Sequence, residues 1–326
     1  MNYPFYNVVN TEFEAVNKLI IGSLSSHIPL IEEISKYLID AGGKRLRPLL
    51  VLLAAKSLDY KLDEHIKLAA IIEFLHTAML LHDDVVDESL LRRGRKTVNA
   101  EWGNPASVLV GDFLHSRAFE MMVEIGEMRV MQILSFATNT IAEGEVQQLT
   151  NIRNPDISEQ GYLEVINRKT AMLFEASSHA GAVLAASTNK NANREQIQCL
   201  RHYGQHLGMA FQLIDDALDY EGTTEQLGKN VGDDLAEGKV TLPIIAAMQN
   251  CNKAEGKLLR EAILTGGIDN LDEVMEIVIR TGGLAYTNQK AELEIQDALA
   301  SLVNVPESPY KDAMISLATF SISRNT

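Results

Sequence analysis

Residues 68–87 read LAAIIEFLHTAMLLHDDVVD, and this stretch decides the fold class. The apolar run from Leu68 to Leu81 is broken only by polar residues such as Glu73 and His76. It is too short to span a bilayer, so it reads as a helix buried on nearly all sides. It ends in Asp83-Asp84-Val85-Val86-Asp87. Residues four apart share a helix face, so Asp83 and Asp87 point the same way and repel unless a cation lies between them. The same D-D-x-x-D form returns about 130 residues later as Asp215-Asp216-Ala217-Leu218-Asp219, after the apolar Phe211–Ile214. Two such clusters suggest two walls facing one cavity. Mg²⁺ combines one or two carboxylates with substrate phosphates, so the spacing predicts a Mg²⁺–diphosphate site.

Outward from these clusters the pattern is helical almost throughout. Candidate helices cover 11–40, 45–57, 62–87, 105–125, 128–149, 158–186, 194–221, 240–250, 254–265, 270–281, 284–302 and 308–322, several with a proline at a break or first turn. No alternating β-branched run is long enough for a sheet. Two polar, glycine-bearing stretches, 88–104 and 222–239, each follow an acidic cluster directly and read as loops able to close over a diphosphate. The expectation is a single all-α domain over 1–326.

The 326 residues carry 29 basic and 44 acidic side chains, a net charge of −15, which argues against a broad nucleic-acid-binding surface. Positive charge for an anionic substrate must then be concentrated locally. Cys199 and Cys251 suggest no disulfide framework. The first residues lack the basic and apolar regions of a signal peptide, and a cytoplasmic protein is expected.

Two basic clusters stand out: Gly42-Gly43-Lys44-Arg45-Leu46-Arg47-Pro48, a glycine turn opening into a helix start, and Arg92-Arg93-Gly94-Arg95-Lys96. Helix N-termini attract phosphates, and arginine forks bind their oxygens bidentately. Alone, each is an exposed solvated face, just as a single D-D-x-x-D is an ordinary charged helix end. Their coincidence in an acidic protein points to an anion site. His202 and His206 stand four apart but lack the glutamate of H-E-x-x-H, and His82 reads as packing. Asp112 is open between roles. A ferritin-like di-metal bundle needs repeated Glu-x-x-His pairs, and only Glu73-x-x-His76 has that spacing.

With GGKRLRP (42–48), FLHTAMLLHDDVVDESLLRRG (74–94), VLVGDFL (108–114), AEGEVQQL (142–149), KTAMLFEAS (169–177) and GMAFQLIDDALDYEGTTEQLGKNVGDDLAEGKVTLP (208–243), the chain resembles the trans-isoprenyl diphosphate synthase (polyprenyl synthetase) family from about residue 25 onward. The resemblance implies an all-α helical bundle of the isoprenoid synthase type around a central active-site cavity. It implies a homodimer and a Mg²⁺-dependent prenyltransferase that elongates an allylic diphosphate, such as farnesyl diphosphate, with isopentenyl diphosphate. Asp83 and Asp87 would bind Mg²⁺ on the allylic diphosphate, Asp215 would hold a further Mg²⁺, and Asp84, Asp216 and Asp219 would be outer ligands. Arg92 would contact the allylic diphosphate. Lys44, Arg47, His76 and Arg93 would hold isopentenyl diphosphate without metal. Lys169, Thr170 and Gln212 match positions near the reacting carbon, and Lys229 and Lys239 match lid lysines. The phrases DDVVDES and GKNVGDD are most like the bacterial octaprenyl-forming members, which supply quinone side chains; geranylgeranyl and solanesyl lengths stay open, as does peripheral membrane contact for product release. A non-catalytic partner subunit would have lost aspartates or the arginine pair. A terpene cyclase would have no use for the second diphosphate pocket.

The chemistry suits these residue types. Ionising the allylic C–O bond leaves a cation and a diphosphate whose charge Mg²⁺, arginine and lysine stabilise, while Thr170 and Gln212 present oxygen dipoles to the cation. No nucleophilic side chain is required. Met79 lies four and Ala78 five residues before Asp83, the latter about 7.5 Å along the axis at ~1.5 Å per residue. Family members with short products carry aromatic residues here, so the tunnel is open at its top. Phe119 and Met122 are candidates for its floor, with ordinary core packing as the alternative. Ala78→Tyr is expected to shorten the product, as measured by chain-length analysis; an unchanged length would remove this face from the tunnel.

Overall fold

A computed structural model describes residues 3–221, 232–266 and 270–322. The elements are α1 (Pro4–Asn7), α2 (Asn10–Ser23), α3 (Pro29–Asp40), α4 (Leu46–Ser57), α5 (Glu64–Val86), β1 (Leu91–Arg92), β2 (Arg95–Lys96), α6 (Val98–Trp102), α7 (Asn104–Ile125), α8 (Met128–Asn151), α9 (Glu159–Ile166), a π-helical turn (Asn167–Ala171), α10 (Met172–Thr188), α11 (Arg194–Glu221), α12 (Asp233–Ala236), α13 (Leu242–Asn250), α14 (Lys253–Thr265), α15 (Leu271–Arg280), α16 (Gly283–Ser301) and α17 (Pro309–Ile322). Lys229 lies outside the described residues. No helix among those described is long and apolar enough to cross a membrane.

The all-α expectation holds, with local differences. The predicted helix 11–40 is two helices, because Pro29 opens the second and forces Ile28 into extended backbone (φ −99°, ψ 110°). The predicted helix 158–186 is α9 and α10 joined through the π-helical turn. Within 88–104, β1 and β2 form a two-residue antiparallel ribbon around Arg93-Gly94. Both turn residues have positive φ, 54° and 72°, the requirement of a type I′ hairpin. Asparagine or aspartate before glycine would have announced that turn; arginine does not.

The described contacts form two compact units, 1–138 with 173–204 and 299–317, and 139–172 with 205–298 and 318–326. In the first, α5 packs against α2, α4 and α7, which explains why Leu68–Leu75 is apolar nearly all round. Gly111 of α7 faces α5 so closely that a Cβ there would lie 2.4 Å from His82 Nε2 and 3.3 Å from the Ala78 carbonyl. In the second unit, Leu213, Ile214, Ala217 and Tyr220 of α11 enter a core with Ile244, Leu259, Ile263, Val274 and Val278. Asn252 and Glu255 form a capping box on α14.

In the first unit α4 and α10 also touch backbone to backbone. A Cβ on Gly181 would sit 2.7 Å from the Val51 carbonyl and 3.3 Å from its Cα. Gly181→Ala must push the helices apart and is expected to cost about 1–3 kcal/mol, seen as a lower melting temperature. Unchanged melting would mean that the two backbones yield without cost.

Candidate active site

In the first unit, candidate residues gather on the last turns of α5 and the two basic segments. Met79, Asp83 and Asp87 lie half-buried at four-residue spacing, whereas Asp84, one residue round the helix, is only 3% exposed. Arg92 reaches one Asp84 oxygen with both Nε, at 2.8 Å, and a terminal nitrogen, at 2.7 Å. Burial opposes the charge of Arg92, but Asp84, with Asp83 and Asp87 behind it, holds its pKa above the ordinary arginine value. The loop is stapled below this pair: Asn99 Nδ2 donates to the carbonyls of Asp84 and Ser89 at 3.0 and 3.1 Å, and Thr97 Oγ1 donates to Ser89 at 2.7 Å.

The hairpin turn aims the next arginine at the glycine turn. Arg93 donates to the Gly42 carbonyl, and its guanidinium lies where a Cβ on Gly43 would be, 2.7 Å from Nη1. The Gly42-Gly43 pair is therefore glycine for two reasons: Gly42 has φ 62°, and Gly43 leaves room for Arg93. Arg45 also takes the left-handed region, at φ 48°, where it donates to Asn17 and lies 3.7 Å from Glu73. Tyr6 donates to the Lys44 carbonyl, fixing the same turn from the other side.

Behind this turn Arg47 stacks over Phe174, 4.2 Å from the ring centroid, and its Nη1 lies 3.2 Å from His76 Nε2. Arginine can only donate, so Nε2 accepts and the His76 proton is on Nδ1. Burial first, then Arg47, Arg93 and Arg92, push the His76 pKa well below its ordinary value, leaving a neutral imidazole. Burial, reinforced by Arg93 and opposed by Glu73, brings Arg47 down to about 10. Glu73 is itself raised by burial, against the pull of Arg45, Arg47 and Arg93. Sequence reading set Glu73 aside as half of a metal motif; it is instead the carboxylate that the arginines share. His76, Asp84, Arg45, Arg92 and Arg93 line a hollow of about 860 Å³, partly open to solvent, whose other walls include Tyr37, Leu38 and Leu80.

In the second unit, candidate residues lie on α8, the π-helical turn and α11. Lys169 Nζ is 2.6 Å from Glu145 and donates to Gln148 at 2.8 Å. Thr170 donates to Gln212 at 2.7 Å. Asp215 is half-buried, while Asp216 and Asp219 are fully enclosed at 3% and 0% exposure. Asp216 accepts from Gln212 at 2.7 Å and from Tyr162 at 2.5 Å. Asp219 accepts the Asp234 N–H at 3.2 Å and so anchors α12. Lys239 pairs with Glu237 at 2.7 Å and lines a second hollow with Lys169, Thr170, Gln212 and Asp216. Tyr162 was missed from the sequence because a lone tyrosine in an apolar stretch carries no signal beyond packing.

Other candidates are placed less centrally. Ala78 and Met122 are buried at 3% and 2% exposure. Phe119 packs on His115 at 5.1 Å and borders a shallow hollow with Glu120 and Val123. Asp112 is exposed, with His82 3.4 Å away. His206 pairs with Glu294 at 2.8 Å. Among the described residues no three His, Cys, Asp or Glu side chains converge to hold a metal by themselves.

The pattern of the polyprenyl synthetase family matches residues 28–278. The chain belongs to the polyprenyl synthetase family. It is 48% identical over 319 residues to the octaprenyl diphosphate synthase of Haemophilus influenzae, covering 98% of this chain and 95% of that protein. The all-trans-nonaprenyl-diphosphate synthase (geranyl-diphosphate specific) of Rhodobacter capsulatus is 46% identical, with 97% and 96% covered. A solved polyprenyl synthase of Caulobacter crescentus, complexed with calcium and isoprenyl diphosphate, matches with a TM-score of 0.94 at 43% identity over 99% of this chain and 98% of that one. The architecture is thus the helical isoprenoid synthase fold, and the protein is a prenyltransferase that elongates allylic diphosphates.

The neutral His76 of this family member has a consequence for stability. Its folded pKa lies below that of the unfolded chain, so the unfolded state binds more protons between the two values. Stability is full above about pH 6.5 and is lost as pH falls below it. His76→Gln, which keeps an acceptor for Arg47, is expected to flatten the fall in melting temperature between about pH 6.5 and 5. An identical slope in both proteins would mean that His76 does not titrate as a buried neutral group.

Proposed function

We propose that the chain builds a long all-trans polyprenyl diphosphate, of octaprenyl length, by repeated addition of isopentenyl diphosphate to an allylic primer such as farnesyl diphosphate. The observation that carries the reading is the concentration of Arg45, Arg47, Arg92 and Arg93 around one neutral histidine in a protein of net charge −15. Such a cluster suits an anion that brings its own charge. The 48% identity to an octaprenyl diphosphate synthase supports the length.

In this reading Lys44, Arg47, Arg93 and His76 hold the diphosphate of isopentenyl diphosphate. The arginines contribute charge, and His76 donates from Nδ1 without adding a further positive charge beside them. Asp83 and Asp87 on one helix face, with Asp215 on the other motif, are hard oxygen donors of the kind Mg²⁺ takes together with phosphate oxygens. Bound there, Mg²⁺ supplies electrostatic stabilisation of the departing diphosphate. Arg92, fixed by Asp84, adds charge beside it, and Lys239 adds charge in the second hollow. Lys169, Thr170 and Gln212 lie beside the reacting carbon. Thr170 and Gln212 turn oxygen lone pairs toward the cation without being able to capture it. The double bond of isopentenyl diphosphate attacks, and the released diphosphate takes the proton. Ala78, Met79, Phe119 and Met122 set how far the tail extends.

The same reading makes the chain a cytoplasmic homodimer with one domain per subunit. In support of the single domain, each passage of the chain between the two compact units falls inside a helix, α8, α10, α11, α16 or α17. Mass analysis of products from isopentenyl diphosphate with several primers tests the function. Octaprenyl product with Mg²⁺, and none after chelation, is the expected result; no product with any primer overturns it. Arg47→Ala is expected to raise KM for isopentenyl diphosphate about tenfold or more, as loss of a charged hydrogen bond of ~1.5–3 kcal/mol requires, with KM for the primer unchanged. A rise confined to the primer would exchange the two subsites.

A further inference from the structure

We infer that Tyr162 is a positioning residue for the reaction, acting on Thr170 through Asp216 and Gln212; the inference rests on the function proposed above. Four side chains of the second unit form one hydrogen-bonded chain. Tyr162 Oη donates to Asp216 Oδ2 at 2.5 Å, Gln212 Nε2 donates to Asp216 Oδ1 at 2.7 Å, and Thr170 Oγ1 donates to Gln212 Oε1 at 2.7 Å. Tyr162 and Asp216 are each 3% exposed.

The directions of these bonds matter more than their number. Asp216 Oδ1 accepts from the Gln212 amide NH₂, which turns that NH₂ inward and the amide oxygen toward Thr170. Thr170 has one hydroxyl proton, and that proton is committed to Gln212. Its remaining lone pairs are then available to the hollow of about 660 Å³ that Gln148, Lys169, Thr170 and Gln212 line. A flipped amide would offer NH₂ to Thr170, and the hydroxyl would swing its proton outward. The dipole shown to a developing carbocation would change sign. Tyr162 prevents this by holding the second oxygen of Asp216, so the carboxylate cannot rotate away from Gln212.

The platform under Thr170 is built for this register. The π-helical turn Asn167–Ala171 carries both Lys169 and Thr170, and π-bulges are frequent at functional sites. It sits directly on Gly144 of α8, where a Cβ would lie 2.9 Å from both Arg168 Cβ and the Lys169 nitrogen. The second D-D-x-x-D therefore divides its work. Asp215 is half-buried, whereas Asp216 has an acceptor bond on each oxygen and serves as a bridge.

Tyr162→Phe tests the inference, because it deletes the donor and keeps the ring. The expected result is a loss of kcat of about 10- to 100-fold, the usual effect of an outer hydrogen-bond partner, with both KM values and the Mg²⁺ half-saturation unchanged. In a Thr170→Val background the same change should cost nothing further, since residues acting as one chain are non-additive. Thr170→Ser, which keeps the donor, should restore the sensitivity to Tyr162→Phe. Unchanged kcat, additive losses, or a raised Mg²⁺ requirement overturns the inference. If Tyr162→Phe fails to fold, a fluorinated tyrosine at 162 keeps the packing and alters only donor strength; it must change kcat, and an indifferent kcat is equally fatal. A wild-type protein that makes no product defeats the functional reading, whereas an active wild type with a fully active Tyr162→Phe defeats only this inference.

Discussion

Four arginines cannot crowd one wall of a protein without counter-charge, and two buried carboxylates supply it. Glu73 lies among Arg45, Arg47 and Arg93, and Asp84 holds Arg92 at 2.7–2.8 Å. Like charges a few ångströms apart repel by roughly 4 kcal/mol at the effective dielectric of a protein surface. Removing either carboxylate would therefore loosen the whole cluster, not one side chain. Asp83 and Asp87 add their negative charge to that of Asp84 at Arg92. His76, kept neutral, adds no positive charge to the cluster.

That cluster also explains the backbone. Arg45 and Arg93 both stand at positive φ, a region that costs an ordinary residue roughly 1–2 kcal/mol. Each is held there by a side-chain donor bond, Arg45 to Asn17 and Arg93 to the Gly42 carbonyl. The turn residues point their guanidinium groups inward at the expense of local comfort. This is strain tied to an observed geometry, and it lies at the site where positive charge is collected.

Much of this was legible in the chain, for identifiable reasons. Four-residue spacing puts Asp83 with Asp87, and the same geometry turns Asp84 about 100° away into the protein, where it is found. The paired glycines announced one turn, and the 88–104 stretch announced a loop but not the hairpin turn at Arg93-Gly94. Neither could reveal that Arg93 fills the space Gly43 leaves, because that contact joins segments 50 residues apart in sequence. The role of Glu73 was hidden for the same reason, as its partners come from the 42–48 turn and the hairpin. Tyr162 was hidden more deeply. Its hydroxyl matters through Asp216, 54 residues away, and only the fold brings them together. Local pattern reports which residues share a helix face; it is silent on which buried polar groups find one another.

The same distinction bears on product length. Ala78 and Met79 are adjacent in sequence but face different surroundings. Ala78 is buried, its carbonyl 3.3 Å from where a Cβ on Gly111 would stand. Met79 is half-buried and precedes Asp83 and Asp87 at four-residue steps, so it continues the carboxylate face. A tail descending along that face meets Met79 first. Ala78 is instead enclosed at the turn of α5 whose carbonyl Gly111 of α7 approaches, so under the proposed function bulk at Met79 would stand in the tail's path.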